Sequence, residues 1–262
     1  MCTTNENGYN FIKNIYDPGH KSQLKNLKNV NMFMIGADSV SRHIRIILEK
    51  QMKLDGCPLK RKNIDSDGVF KSVAKLWPDK CKGEKWTRVD TAFQSCSDLN
   101  FKLVFAAHSL PFGNTGCSLH LNPSEVLYEL YTSLNSLQNK TIFIYAGIGF
   151  HYNAANPKVF IRQMKTMDFY AKKIHASRPD IRFFFKMPNF FYLTGKFSSR
   201  LVSNYVSFSQ RKVTKNLLSK FWKIIDPWNL SLTRRDQLRP NDVHAYGNLD
   251  YKIYELFLQQ LF

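Results

Sequence analysis

Apolar residues along this chain fall into short solid runs separated by stretches with a helical period. The run Met32 to Ile35, bounded by the small residues Gly36 and Ala37, predicts a buried strand. After Asp38 and Ser39, Val40, Ile44, Ile47 and Leu48 recur on one face and predict a helix through about Lys50. Four more buried strands are predicted at Phe101 to Ala107, Thr141 to Ala146, Ile181 to Met187 and Phe221 to Ile225. A helix is expected from Asn122 to about Leu137, with Pro123 in its first turn and Glu125 near its start. Others are expected over Pro157 to Ala176, Ser199 to Leu218 and Leu249 to Phe262. Strands alternating with helices predict an α/β fold, with a parallel sheet of about five strands covered on both faces. The ligand crevice of such a sheet lies at the carboxyl ends of its strands. Ser39, His108, the Gly149 to His151 turn and Asp226 all follow such ends.

Two stretches break this rhythm. Residues 1 to 28 read as a loose basic lead-in broken at Pro18-Gly19, which leaves 29–262 as a single domain. Leu54 to Asn100 is irregular, rich in Lys, Asp and Gly, and reads as a long insertion with short strands and three of the cysteines.

Composition narrows the picture. The 262 residues are 44% hydrophobic, enough for one substantial core. No apolar run approaches the roughly 20 residues that span a bilayer, and the polar N-terminus lacks the apolar centre of a signal peptide. The chain is therefore expected to be soluble as written, or a piece of a longer one. Lys and Arg number 38 against 20 Asp and Glu, a net charge of +18 that fits either an anionic partner or a merely solvated basic surface. No nucleic-acid signature accompanies the charge, so nucleic acid is not the expected partner. Cys57, Cys81, Cys96 and Cys117 cluster, with Cys2 left over; no spacing suits a metal. The cluster fits two disulfides of open connectivity, against the alternative of buried thiols. Asn139 and Asn229 open glycosylation tripeptides.

The chemistry centres on Ser39. A serine at a strand-to-helix turn has the free backbone N–H groups of a helix start beside it, where an oxyanion could develop. It needs a base and a group to orient that base. Asp242-Val243-His244 supplies both types just before the last helix. Asp38 and Ser39 could instead simply cap that first helix. Asp226, ahead of Pro227 and Trp228, is a rival acid that reads better as a turn residue. Gly147-Ile148-Gly149 does not continue as a dinucleotide loop, because Tyr152 occupies the third glycine position.

The blocks together resemble a known family. Ala37 to Arg42 (ADSVSR) is similar to the Gly-Asp-Ser-x-x-Arg block of the PC-esterase branch of the SGNH (GDSL-type) hydrolases. Gly149-Phe150-His151 followed by Phe160-Ile161-Arg162 resembles that branch's Gly-x-His and Phe-Ile-Arg segment, and Asn241 to His244 its terminal block. Their order looks most like the C-terminal domain of the NXPE (neurexophilin and PC-esterase domain) family. The resemblance implies a three-layer α/β/α SGNH-like fold and O-acetyl transfer or ester hydrolysis on glycans. Ser39 would be the nucleophile, His244 the base and Asp242 its orienter. The Ser39 N–H and Gly149 would serve the oxyanion hole. His151 would be a further candidate for the hole. Apart from the resemblance, His108 at a strand end could line the pocket or donate a core hydrogen bond. Arg42, one helical turn from Ser39, could bind an acidic substrate group or pair with a surface carboxylate. The resemblance also implies no tightly bound cofactor and no metal, an acetyl donor as co-substrate, a glycan partner that the charge suggests is anionic, and a secretory-pathway location. Two departures motivate an alternative, a catalytically inactive glycan- or protein-binding module. Ala37 stands where the block carries Gly, and Asn241 stands three residues before the histidine, where SGNH enzymes carry the acid.

Overall fold

The structure, a computed structural model, describes residues 27–37, 39–62, 91–94, 99–107, 123–137, 141–147, 156–192, 203–238 and 248–261. Within them lies a seven-stranded sheet. Strand β1 is Val30–Ala37, β2 Lys60–Lys62, β3 Thr91–Gln94, β4 Lys102–Ala107, β5 Thr141–Ala146, β6 Arg182–Lys186 and β7 Trp222–Ile225. Their order across the sheet is β2-β3-β4-β1-β5-β6-β7. The run from β4 to β7 is parallel, while β2 and β3 add an antiparallel edge beyond β4. The expected five-strand parallel sheet is present, and the irregular stretch supplies the two short strands anticipated there.

Strands buried on both faces show continuous apolar runs, and here alternate residues go to opposite layers. Phe33 and Ile35 of β1 join Ile142, Ile144 and Ala146 of β5 and Phe183 and Phe185 of β6 on one side. That side is covered by helices α2 (Pro123–Thr132) and α3 (Pro157–Ser177), with Val213 and Leu217 of α4 (Asn204–Leu217) against it. Val30, Met32 and Met34 join Phe143, Tyr145 and Phe184 on the other side. There the cover is α1 (Ser39–Leu54) and the last helix, α6 (Asn248–Leu261). The result is three layers, α/β/α.

Helix limits depart from the hydrophobic pattern in four places. The helix expected from Ser199 begins at Asn204, with the Ser203 side chain accepting the Val206 N–H. The helix expected through Leu137 stops at Thr132, and Leu134–Leu137 forms a 3-10 turn. Helix α1 continues to Leu54 because Ile47, Leu48 and Met52 keep the buried stripe going. A short helix, α5 (Trp228–Thr233), follows the Asp226-Pro227 turn, since an Asp226 carboxylate oxygen takes the Trp228 N–H at 3.3 Å.

The amino ends of β1 and β4 are tied together. Asn29 and Asn100 both adopt positive φ, which asparagine tolerates better than most residues. The Asn29 N–H donates to the Leu99 carbonyl at 2.9 Å, and the Asn100 amide donates to Asn29 Oδ1 at 3.1 Å. On the far flank, buried Asp168 of α3 secures the entry to β7. It accepts from the Ser219 N–H at 3.0 Å, the Ser219 hydroxyl at 2.9 Å and Trp222 Nε1 at 3.1 Å. Lys172 closes on its outer oxygen at 3.1 Å.

Asp168→Ala would orphan the Trp222 and Ser219 donors in the interior, at about 1–3 kcal/mol in total because neighbouring losses do not add. Thermal unfolding of the variant is expected about 5 °C below the parent; an unchanged midpoint would remove Asp168 as the anchor of β7.

Candidate functional site

The site is built by topology before any side chain. Chain order along the parallel strands, β4-β1-β5-β6-β7, is the 2-1-3-4-5 doubly wound order. In that order the connection leaves the first strand toward one side and later returns to the other, opening a crevice at the switch point. Here that point lies beyond the carboxyl ends of β1 and β5. Ser39 begins the helix that follows β1, and Gly147 follows β5. The Gly147 N–H still reaches the Ile35 carbonyl at 3.4 Å, so the two strand ends remain laced together up to the crevice.

A local irregularity sits at the serine's doorstep. Ile35 pairs with Ala106 and Ala37 with Ala107, so Gly36 is an extra residue of β1 against β4. Such a bulge bends its strand and re-aims the residues after it, and bulges recur beside active sites for that reason. A glycine there spares the bend any side-chain crowding.

Two cations fix the direction of helix α6 along the sheet. Arg182, first residue of β6, donates Nη1 to the Leu261 carbonyl at 2.7 Å, and Lys223 of β7 donates Nζ to the Gln260 carbonyl at 2.8 Å. These cations meet the negative end of the helix dipole at the amino ends of their strands. The helix is about 20 Å long at 1.5 Å per residue. It packs through Leu249, Ile253 and Phe257 along the same sheet face as α1. Its first residue, Asn248, therefore stands at the carboxyl edge, the edge where α1 begins.

Four anchors thus share one edge on neighbouring elements: Ser39, Ala107, Gly147 and Asn248. Of the residues singled out from the sequence, Ser39 is placed at the first position of α1, and Arg42 one turn further along that helix. His108 follows directly after Ala107; Gly149 and His151 lie two and four positions past Gly147; Asp242 and His244 lie six and four before Asn248. Asp38, His108, Gly149, His151, Asp242 and His244 lie outside the described residues. Among the described residues no group of His, Cys, Asp and Glu could hold a metal ion. No helix among them is long and apolar enough to cross a membrane.

Asp226 is occupied elsewhere. Arg211 grips it bidentately, Nε to Oδ1 at 3.0 Å and Nη2 to Oδ2 at 2.6 Å, and Lys215 adds a contact at 3.0 Å. Behind the pair, the Arg211 guanidinium lies 4.7 Å over the Trp228 ring. Burial pushes the Asp226 carboxyl up, but the hydrogen bonds from Arg211 and Lys215 and the Trp228 N–H outweigh it and hold it below its ordinary value. The turn reading of Asp226 stands.

The hydrophobic pattern gave no sign of two polar features. Lys186, at the carboxyl end of β6, is buried and donates Nζ to Asn189 Oδ1 at 3.0 Å and to the Met187 carbonyl at 3.3 Å. The Asn204 side chain holds both the N–H and the carbonyl of Phe191, at 2.9 and 2.7 Å, docking the exit of β6 to the start of α4. Phe191 and Asn204 stand thirteen residues apart, so their pairing leaves no local signal. His175 stacks on Phe221 with ring centroids 4.4 Å apart, while its Nδ1 is buried without a hydrogen-bond partner among the described residues.

The three-layer α/β/α fold is consistent with an SGNH-like domain, and family membership supports a PC-esterase-type one. The family described as "NXPE family member 4-like, C-terminal domain" matches residues 11–260, and the chain belongs to that family. No curated protein matches it.

Asp226→Asn is expected to lower stability by about 1–3 kcal/mol, because Arg211 keeps its buried charge and loses its partner. Since the folded carboxyl titrates below its unfolded value near 3.9, its contribution is present above that pH and is lost as pH falls through the lowered value. The variant's urea stability should accordingly fall less than the parent's between about pH 4 and pH 2; parallel profiles would contradict the assignment.

Proposed function

We propose that this domain is a serine-dependent O-acyl transferase or esterase that moves an acetyl group on glycans. The carrying observation is the shared carboxyl edge: Ser39 opens α1 at the β1/β5 switch point, and the helix that follows Asp242 and His244 starts at the same edge. Asp242 and His244 precede Asn248 by six and four residues, at most about 20 Å of chain. Family membership over residues 11–260 supports the same chemistry.

In this reading His244 accepts the proton of the Ser39 hydroxyl as Oγ bonds to the acyl carbon of an acetyl donor. The carbonyl electrons move onto oxygen, where the N–H groups of Ser39 and Gly149, with His151 beside them, stabilise the charge. The intermediate collapses, the donor's leaving group takes the proton back from His244, and an acetyl-serine remains. A glycan hydroxyl, or water in the hydrolytic case, repeats the steps in reverse order. Asp242 holds the imidazole tautomer, taking the part that Asn241 cannot. Arg42 and His108 line the substrate side.

The location that fits is the secretory pathway. Cys57 is disulfide-bonded, which supports an oxidising compartment, and Asn229 is exposed on α5 as a glycosylation acceptor. Two disulfides among the five cysteines leave one thiol, so titration of unfolded, unreduced protein with a thiol reagent should count one per chain. A count of five would overturn this placement.

A fluorophosphonate should label the protein at Ser39. The Ser39→Ala variant should lose labelling entirely, and His244→Ala should slow it by about 100-fold or more. A folded parent that resists labelling would favour the inactive binding module to which Ala37 and Asn241 point.

A further inference from the structure

Helix α3 carries two faces. Its inner stripe, Phe160, Met164, Met167, Ala171 and Ile174, is buried against the sheet. Its outer residues Lys158, Arg162, Lys165, Phe169, Lys172 and Lys173 are all exposed. At 100° per residue these six fall within an arc of about 100°, opposite the buried stripe. The only acid of the helix, Asp168, is turned inward to Ser219 and Trp222, with Lys172 on its outer oxygen. Lys158, Arg162 and Lys165 have no ion-pair partner among the described residues. Lys173 lies over the rings of Phe169 and Tyr131, at 4.7 and 5.6 Å. On α2, which packs against α3, Glu125 and Glu129 make no ion pair with these cations among the described residues. On the α4 side Lys212 and Lys215 extend the positive field, with Lys215 committed to Asp226.

The row also has a direction. Helix α3 joins two parallel strands, so it runs back along the sheet and its first turn stands at the carboxyl edge. Lys158 is therefore at the crevice end, and Lys173 lies about 22 Å away along the helix axis. Like charges spaced at each turn repel one another and weaken the isolated helix. An extended anion laid along them would relieve that repulsion and release counterions. The only exposed aromatic ring in the row, Phe169, is half exposed near its middle, with Lys173 over one face and the opposite face the one on which a sugar ring could stack. A membrane surface is disfavoured, since the helix's apolar face is already spent on the core and none is left to insert.

We propose that the outer face of α3 binds a linear polyanionic glycan, one bearing sulfate or uronate groups, and leads it into the crevice at Ser39. This rests on the glycan reading of that crevice, deepens it by naming the substrate class, and adds the surface that selects it.

The test compares chondroitin sulfate oligosaccharide binding to the parent and to the triple variant Lys158→Ser, Arg162→Ser, Lys165→Ser as salt is varied. A second triple variant, Lys50→Ser, Lys53→Ser, Lys60→Ser, makes the same charge change on exposed residues of α1 and β2. The α3 variant should bind about tenfold more weakly at low salt, with the logarithmic salt slope reduced by about 2, while the second variant stays near the parent. Equal losses in both variants would overturn the proposal, as would tighter parental binding to single-stranded RNA of matched charge or to phosphatidylserine vesicles. Both variants should keep the parent's thermal midpoint and fluorophosphonate labelling rate. Glycan binding through α3 without any Ser39 labelling would defeat the catalytic reading alone; labelling without glycan binding would defeat this proposal alone.

Discussion

Everything in this domain depends on the burial of both faces of its central parallel strands. Parallel neighbours cannot be joined by tight turns, so each strand needs a helix to carry the chain back. Each helix must cover one of the two apolar faces. With β1, β5 and β6 filled by Phe, Met, Ile and Tyr on both sides, the helices have no freedom to sit elsewhere. The amino ends of α1, α3 and α6 then collect at one edge by necessity, and that edge is where chemistry can be placed without disturbing the core.

Charge is distributed according to the same division. The acids that reach the interior are used for structure: Asp168 gathers the donors at the start of β7, and Asp226 locks α4 to the exit of β7 through Arg211. Cations that touch the core do so as partners of carbonyls or rings, as Arg182 does at the end of α6. Among the described residues, Lys158, Arg162 and Lys165 are exposed cations, left in register on α3. The positive balance of the whole chain becomes meaningful only where the helical repeat lines it up.

Much of this was legible beforehand. Strand β5 begins and ends where its apolar run does, and α3 and α6 match the expected helices to within a residue or so, because solid runs and a 3.6 period are local consequences of burial. The end of α2 was not legible, since Leu134 and Leu137 continue the apolar pattern that the backbone abandons after Thr132. Nor was the short helix after Pro227, whose start depends on an Asp226 carboxylate positioned by Arg211, fifteen residues earlier. For the site, Ser39 stood out because it closes a buried run and opens a helical one. Gly36 was visible as a small residue at that junction, but its place as an extra residue against β4 needs the neighbour strand to define it.

The amino-acid sequence by itself determined the class of fold, the run of strands and helices, the serine at the first junction and the far-off Asp242 and His244 that could serve it. These follow from periodicity and residue chemistry, which act over a few neighbours. Only the tertiary structure decided the strand order, and with it that β5 rather than β7 borders β1, that Asp226 belongs to an arginine, and that the last helix begins beside the first. Those facts concern residues brought together across the sheet, where packing and pairing act between segments that share no local pattern.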